Sequence, residues 1–339
     1  MFNLNTPEIL FTLHAVQGAS ALVKKVQEEM ATGALTKGDR SPVTVADYAA
    51  QALIGHLLAG QFPDDPLVGE EDSSALRTDE QRETLERITY FVGMLAPGVT
   101  NDAVCRWIDR GSAKSAPRYW TIDPIDGTKG FLRGMQYAVA LALVEGGKVQ
   151  VSALGCPNLN VEYLVANNGR VPMQKEGAPG SLVIAVRGEG AWATPLTGKP
   201  AFTRLHASAR TEPSQARLLR SYEKAHTNTG KIGDLVQALN VGAEPIGMDS
   251  QAKYAVLAAG QGDMLVRLLS SRQPNYKEKI WDQAAGSLVV EEAGGWITDL
   301  HGRTLDFTQG RTLARNRGIL ASNGHLHTAA LEALRAIEA

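Results

Sequence analysis

The sequence predicts an α/β protein with two domains. Its 339 residues exceed the length of two typical domains of about 150 residues. Helical periodicity dominates the N-terminal part, strands begin at Tyr119, and beyond about residue 205 strands and helices alternate. Such alternation is typical of an α/β unit, here packed on a mixed sheet. We therefore expect an N-terminal α+β domain over residues 1–205 and a C-terminal α/β domain over residues 206–339.

Two helices are predicted before the first strand. Apolar residues recur at three- and four-residue spacings over the first 30 residues, and this helix is expected to end near Gly33. A second helical pattern runs from Thr44 to Leu58. The polar stretch 36–42 between them contains glycine and proline and predicts a mobile loop.

Turns divide the rest of the chain into shorter elements. Residues 77–92 predict a charged surface helix, and residues 96–118 a polar insertion. Predicted strands lie at 119–122, 137–144, 148–154, around 161–166 and around 182–187. The alternating C-terminal elements lie at 217–220, 231–239, 254–260, 264–268, 282–293 and 296–299, and a terminal helix is predicted over 326–339.

Composition and charge exclude several classes of protein. Hydrophobic residues make up 44% and charged residues 21% of the chain, ordinary proportions for a folded globular protein. A net charge of −2 provides no basic field for nucleic acid or a membrane surface. The longest apolar run, 137–144, is too short to cross a bilayer, and no basic segment precedes an apolar one at the N-terminus. The two cysteines, Cys105 and Cys156, exclude a disulfide framework and a cysteine zinc site. We therefore expect a cytoplasmic protein whose chemistry depends on acids and histidines.

The most informative motif is a strand that ends in two acids. Asp123 and Asp126 are three residues apart, Pro124 fixes φ between them, and Gly127 and Thr128 allow a tight turn into a helix. Such a turn aims two carboxylates and several backbone N–H groups at one point, which suits a hard cation and a phosphate. The alternative is an acidic turn in which Asp126 only caps the helix.

Three other acids also allow two interpretations. Glu70 begins an acidic trio after an apolar strand, Asp47 lies among apolar residues of the second predicted helix, and Asp282 opens an apolar helix. Structural explanations exist for each: a solvated loop, a buried core acid and an N-cap, respectively. If the acids converge, cations must offset their repulsion, and ligands that are all oxygen select Mg²⁺, Mn²⁺ or Ca²⁺ over zinc. Two such ions would hold a phosphate and activate water.

Together these motifs resemble a known family. Asp123-Pro124-Ile125-Asp126-Gly127-Thr128, Glu70-Glu71-Asp72 and Trp281-Asp282-Gln283-Ala284-Ala285-Gly286 resemble the inositol monophosphatase superfamily of lithium-sensitive, magnesium-dependent phosphatases. Longer segments are similar to its 3′(2′),5′-bisphosphate nucleotidase branch, at residues 41–51, 127–134, 155–159, 223–226, 249–254 and 278–282. The resemblance implies a layered αβαβα sandwich of the inositol monophosphatase and fructose-1,6-bisphosphatase type, with the site between two domains.

The resemblance also implies a role for individual residues. Two or three Mg²⁺ ions would be bound by Glu70, Asp123, the Ile125 carbonyl, Asp126 and Asp282. Asp47 and Thr128 would orient and deprotonate the attacking water, and the Gly127 and Thr128 N–H groups would hold the phosphate. The loop 36–42 would recruit an additional, activating ion.

Substrate choice is expected in the C-terminal domain. By resemblance, His226 lies beside the adenine, Ser250 and Lys253 contact the nucleotide, and Arg267 lies near its second phosphate. A pair of cations suits a ligand with two phosphates better than a monophosphate. The alternatives are a polar surface loop for His226 and an exposed charge at a strand end for Arg267. Gln283 departs from the branch, which often carries His there.

The activity that the resemblance implies is hydrolysis of adenosine 3′,5′-bisphosphate (PAP) to AMP, and of 3′-phosphoadenylyl sulfate (PAPS) to adenylyl sulfate, with inhibition by lithium. The first alternative is a phosphatase of the same fold that acts on inositol polyphosphates or inositol monophosphate. The others are a non-catalytic nucleotide sensor and a structural domain with acidic caps. The expected partner is the small-molecule substrate, without nucleic acid or membrane, and a monomer is consistent with the sequence.

Overall fold

Alternating layers of helix and sheet make up the protein. The structure is a computed structural model that describes residues 5–33, 42–166, 179–222, 229–270 and 273–338. Its layers follow the order helix, sheet, helix, sheet, helix, which confirms the predicted αβαβα sandwich. Among the described residues, no helix combines the length and the apolar character that crossing a membrane requires. The cytoplasmic location stays a prediction.

The first layer is a pair of long helices. α1 (Pro7–Gly33) and α2 (Pro42–Gln61) carry apolar and small residues at helical spacing. Small side chains such as Ala15 and Ala49 are wholly buried, so the two helices pack closely on each other. The predicted mobile loop at 36–42 falls, except for its last residue, outside the described residues.

The second layer is a seven-stranded sheet whose strands are neighbours in the order of the chain. They are β1 (Leu67–Gly69), β2 (Arg118–Asp126), β3 (Ala138–Glu145), β4 (Lys148–Cys156), β5 (Ser181–Val186), β6 (Gly190–Pro195) and β7 (Thr203–Arg204). β1 is parallel to β2, and every other pair is antiparallel. The helices inserted between these strands are α3 (Arg82–Gly93), α4 (Asn101–Asp109), α5 (Thr128–Leu132) and α6 (Val161–Val165), with 3₁₀ turns at Ala75–Arg77 and Asp79–Gln81.

The side chains of strand β3 alternate between two apolar cores, one on each face of this sheet. Val139, Leu141 and Leu143 belong to the core shared with α1 and α2, whereas Ala140 and Ala142 belong to the core on the opposite face. This is the period of two that a β-strand imposes on its side chains. Alanines on the second face leave room for a helix to lie directly on the sheet.

The third layer consists of two short helices buried between the sheets. Every residue of α8 (Ala252–Ala258) is buried, as are the first seven of α9 (Ala284–Glu292). Ser152 Oγ on β4 donates a 3.0 Å hydrogen bond to the Ala285 carbonyl. These helices therefore dock on the alanine face of the large sheet.

The fourth layer is a five-stranded sheet, and the fifth is the pair of helices outside it. The strands are β8 (Leu218–Arg220), β9 (Ile246–Gly247), β10 (Met264–Arg267), β11 (Trp296–Thr298) and β12 (Ile319–Ser322), in the spatial order β11-β12-β10-β8-β9. A separate apolar core joins the outer face to α7 (Thr229–Ala238) and α10 (His327–Ala336). The large sheet thus ends at Arg204 and the small sheet starts at Leu218; the domain boundary at residue 205 stays a prediction.

One predicted strand is a helix. The predicted strand at 161–166 is instead the helix α6 (Val161–Val165), because Asn160 Oδ1 accepts a 2.9 Å hydrogen bond from the Glu162 amide and so caps a helix start. The valines at both ends of this segment favoured a strand. Conversely, strands β6, β7, β9 and β12 are not among those that the sequence predicts.

The predicted polar insertion at 96–118 contains the helix α4. Thr100 Oγ1 accepts a 3.3 Å hydrogen bond from the Ala103 amide and forms the N-cap. The apolar side of this helix is buried and includes Cys105. Cys156, at the end of β4, is buried as well.

Candidate active site

A β-bulge at the end of β2 aims two carboxylates at one cleft. Asp123 pairs with Ala140 and Asp126 with Ala138, so three steps along β2 face two steps along β3. Pro124, which has no N–H to donate, lies within this bulge. In a regular strand, residues three apart point to opposite faces. Here both carboxylates line the same cleft.

A glycine makes the turn from this strand into α5. Gly127 is the N-cap of α5 and has a φ of +89°, a region that favours glycine. A Cβ at Gly127 would also lie 2.8 Å from the Cβ of Ser250. Because Gly127 is the N-cap, Asp126 does not cap the helix, and its carboxylate is available to the cleft. Thr128 begins the helix and lines the cleft.

The hydrogen bonding of the two aspartates differs. Asp123 is only 2% exposed, and within the described part of the chain its Oδ1 has no hydrogen-bond partner. Asp126 Oδ2 accepts a 2.6 Å hydrogen bond from the Gln251 amide. A buried carboxylate oxygen without a partner is costly unless a ligand satisfies it.

Glu70 approaches the cleft from the end of β1, next to β2. Gln51 on α2 holds this segment: its Nε2 donates to the Glu71 carbonyl at 2.6 Å, and its Oε1 accepts from the Glu71 amide at 3.0 Å. A Cβ at Gly69 would lie 2.5 Å from Gln51 Oε1, so a larger residue there would displace the Gln51 side chain from Glu71. The helix α2 and the strand β1 thereby determine where the Glu70 side chain enters the cleft.

Asp282 approaches from the turn before α9. Gln283, not Asp282, is the N-cap of that helix. Arg267 Nη1 lies 3.6 Å from Asp282 Oδ2, and Arg267 Nε lies 3.0 Å from Glu278 Oε2. Gln283 Nε2 donates to the same Glu278 oxygen at 3.1 Å, and Gln283 Oε1 accepts a hydrogen bond from the Tyr254 hydroxyl. Arg267 is therefore ion-paired within the cleft and is not a free charge at a strand end.

These elements enclose a cleft of about 470 Å³. Most of the residues implied by the resemblance line it, namely Glu70, Asp123, Ile125, Asp126, Gly127, Thr128, Ser250, Lys253, Arg267 and Asp282. His226 lies outside the described residues. The fold therefore gathers into one cavity residues that are more than 200 positions apart in the chain.

Burial raises the pKa values of the four acids in the cleft, and repulsion by neighbouring acids adds to the shift of Glu70, Asp123 and Asp282. Burial is the largest cause for each. The pKa of Glu70 is raised to about 7, that of Asp126 is raised, and those of Asp123 and Asp282 are raised well above the usual range. The charge of Asp126 contributes to the shift of the other three. The acids thus share a site in which negative charge accumulates.

Asp47 is buried on α2, next to this group. It does not line the cleft itself, and it is 8% exposed. Burial, followed by the charges of Glu71 and Glu70, raises its pKa well above the usual range. Its own charge raises the pKa of Asp123. Asp47 is therefore electrostatically part of the acidic site.

Lys253 provides positive charge in the same cleft. Its Nζ donates to the carbonyls of Ser250 and Met248 at 2.8 and 3.1 Å. Burial lowers the pKa of Lys253 to about 8, against the opposing charge of Asp126. Ser250 adopts a positive φ of 69° at the start of this segment. The cleft thus has an acidic part and a cationic part.

The donor set of the acidic part fits hard divalent cations. All four side chains offer oxygen, which Mg²⁺, Mn²⁺ and Ca²⁺ prefer. The unpartnered Asp123 Oδ1 and the raised pKa values both indicate that a cation would relieve an existing cost. Across the residues that the structure describes, no three Asp, Glu, His or Cys side chains form a ready-made metal-binding group. The carboxylates line the cleft without closing into a complete ligand shell.

The sequence does not predict the supporting role of two residues that hold the site. Gln51 is hydrogen-bonded to Glu71, 20 positions away, and Arg311 to Gly69, 242 positions away. Gln51 is the last residue of the 41–51 segment named above, but no spacing in the sequence predicts either of these contacts. Only the fold brings them to the segments that carry the carboxylates.

The comparison with protein families decides which group of proteins this chain belongs to. The model of the inositol monophosphatase family matches residues 6–339. The chain belongs to the inositol monophosphatase family. One solved structure of this family, an IMPase of Thermotoga maritima, superimposes with a TM-score of 0.62 at 20% identity and covers 98% of both chains.

Within the inositol monophosphatase family, the curated relatives have a more specific name. A 3′(2′),5′-bisphosphate nucleotidase of Emericella nidulans is 39% identical over 342 residues, covering 95% of this chain and 96% of the relative. A protein of the same name from Schizosaccharomyces pombe is 40% identical over 343 residues, covering 95% and 93%. The similarity therefore extends over nearly the whole of each chain, including both walls of the cleft.

Proposed function

We propose that this chain is a magnesium-dependent phosphatase that hydrolyses PAP to AMP and phosphate. The observation that carries the proposal is a cleft in which four carboxylates adjoin two cations, the buried Lys253 and the half-buried Arg267. The nucleotidases at 39–40% identity support the same substrate. PAPS, which has the same 3′-phosphate, is the second proposed substrate.

The proposed metal ligands come from different segments of the chain that line the cleft. We assign Glu70 and Asp123 to one ion, and Asp126 and Asp282 to its partner, with the Ile125 carbonyl as a further ligand. Two or three Mg²⁺ ions are proposed, and when bound they neutralise phosphate charge and make water more acidic. The raised pKa values of the acids and the unpartnered Asp123 Oδ1 support this assignment.

Asp47 and Thr128 are proposed to take the proton of the attacking water. Thr128 Oγ1 accepts the proton and passes its own to Asp47, because a threonine hydroxyl alone is too weak a base. Burial of Asp47, with its raised pKa, favours proton acceptance by this carboxylate. Water then attacks phosphorus, the bond to the 3′-oxygen breaks, and this oxygen takes up a proton from solvent, so that AMP and inorganic phosphate form.

The remaining residues would hold the substrate. The Gly127 and Thr128 N–H groups at the start of α5 are assigned to the phosphate being cleaved. Lys253 and Arg267 are assigned to the rest of the charged nucleotide, together with Ser250. His226 keeps its predicted place beside the adenine.

Release of phosphate from PAP tests this function. We expect AMP as the product in the presence of magnesium, no turnover after EDTA treatment, and inhibition by added lithium. Magnesium-independent release would refute the metal mechanism. Adenosine 3′-phosphate as the product would refute the proposed orientation of the substrate.

A further inference from the structure

We propose that Arg311 is a positioning residue that fixes the separation between Glu70 and Asp282 across the cleft. The inference rests on the proposed function, because it assigns these two carboxylates to metal ions. Arg311 itself is not proposed to bind metal or substrate. Its role would be to hold the backbone segments that carry the two ligands.

On one side, Arg311 is hydrogen-bonded to the backbone next to Glu70. Its Nη2 donates to the carbonyl of Gly69, the residue directly before Glu70. Its Nη1 donates to the carbonyls of Gly111 and Ala113 at 2.8 and 3.2 Å. All three acceptors are main-chain carbonyls, so this side chain fixes the backbone rather than neutralising a carboxylate.

The backbone around Glu70 is also held by hydrogen bonds that do not involve Arg311. The Gly69 amide donates to the Gly111 carbonyl at 2.8 Å, and Gln51 Nε2 donates to the Glu71 carbonyl at 2.6 Å. Glu70 therefore lies between two anchored neighbours. Unlike these hydrogen bonds, Arg311 also contacts the segment that carries Asp282.

On the other side, Arg311 packs against the residue directly before Asp282. Its guanidinium carbon lies 4.8 Å from the centre of the Trp281 ring, a cation–π distance, and Trp281 is only 4% exposed. The Arg311 carbonyl also accepts a 3.2 Å hydrogen bond from the Ile280 amide. One residue thus contacts the neighbours of both ligands.

The geometry depends on the guanidinium group. A planar fork can donate to three carbonyls while its face rests on an aromatic ring, whereas a lysine ammonium is a compact point charge. Since residues that orient metal ligands typically alter metal affinity 10- to 100-fold when replaced, loss of Arg311 should weaken metal binding. It should do so without changing the groups that contact the nucleotide.

The test uses Arg311→Met and Arg311→Lys, with Arg315→Met as the matched control. Arg315 lies four residues away, its side chain is 71% exposed, and it pairs with Asp306 at 3.2 Å. Binding of Mn²⁺ in the absence of substrate is measured by isothermal titration calorimetry. We expect roughly tenfold weaker binding for Arg311→Met, an intermediate loss for Arg311→Lys, and wild-type binding for Arg315→Met. At saturating metal, the KM for PAP should stay within about twofold of the wild-type value.

Wild-type Mn²⁺ affinity in folded Arg311→Met would overturn the proposal. If circular dichroism shows that Arg311→Met does not fold, the Mn²⁺ affinity of Arg311→Lys is the test. Wild-type affinity in Arg311→Lys would then overturn the proposal. A wild-type protein that binds no divalent cation would overturn the proposed function as well. Normal wild-type binding with unaffected Arg311 variants would overturn the positioning role alone.

Discussion

The main-chain amide of Gln251 donates a 2.6 Å hydrogen bond to Oδ2 of Asp126. This contact joins the end of β2 in the large sheet to the start of α8 in the middle layer. A carboxylate assigned to metal binding is therefore oriented by the segment that also contains Ser250 and Lys253. This hydrogen bond thus joins the segment that carries Asp126 to the segment that carries Lys253.

Replacing either Asp126 or Asp282 by asparagine should abolish magnesium-dependent turnover. We expect kcat to fall at least about 10³-fold, because the amide removes a charged ligand from a site where transition-state charge is stabilised. Circular dichroism should show an intact fold. Exposed Asp79→Asn is the control with wild-type turnover. Near-normal activity in either site variant would remove that residue from the metal site.

Lys253→Met should weaken binding of PAP more than binding of a simple phosphate ester. Since a charge-assisted hydrogen bond contributes about 1.5–3 kcal/mol, we expect KM for PAP to rise about tenfold or more. KM for p-nitrophenyl phosphate should change less than about twofold. Exposed Lys199→Met serves as the control. Equal effects on both substrates would contradict a role in nucleotide recognition.

The same lysine predicts a pH dependence. Burial lowers the pKa of Lys253 to about 8, so its positive charge is present below that pH and is lost as the pH rises through it. KM for PAP should therefore increase above pH 8 in the wild-type protein. The increase should be absent in Lys253→Met. A KM profile that is identical in both proteins would show that another group titrates.

Gly127→Ala should inactivate the protein with only moderate loss of stability. The φ of +89° and the 2.8 Å approach to Ser250 both oppose a Cβ there, and the turn would shift beside Asp126. We expect kcat/KM to fall about 100-fold and the free energy of unfolding to fall by about 1–3 kcal/mol. Gly134→Ala, at φ +66° with open space around its Cβ, should keep its activity. Full activity of Gly127→Ala would contradict the close packing at this turn.

His327 should make the fold sensitive to acid. Its ring nitrogens lie 2.9 Å from the hydroxyl oxygens of Thr298 and Ser322, and burial lowers its pKa from 6.5 to about 4. The unfolded chain therefore binds a proton before the folded protein does, and stability falls as the pH drops from about 6.5 to about 4.

The measurement for His327 is urea unfolding at pH 7 and pH 4.5. The loss between these pH values should be smaller in His327→Gln than in the wild-type protein, by on the order of 2 kcal/mol. His206→Gln, at an exposed position, should behave as the wild type does. An equal acid loss in His327→Gln would mean that other groups cause it.

Local features of the sequence predict the acidic turn but not its supports. The spacing of Asp123 and Asp126 around Pro124 is a local property, and the bulge follows from it. The support from Gln51 and Arg311 depends on tertiary contacts, which leave no periodic pattern in the chain. The helix α6 illustrates the same limit, since one hydrogen bond at Asn160 outweighs the strand preference of the valines.

The central claim is that the cleft is specific for PAP. It is tested most directly by the ratio of kcat/KM for PAP to kcat/KM for inositol 1,4-bisphosphate. AMP and inositol 1-phosphate are measured as further substrates. Measured with saturating magnesium, the ratio should exceed about 100, since unpaired polar groups penalise the wrong ligand. A ratio below one would contradict the account, because it would keep the phosphatase site and assign the cleft to inositol phosphates.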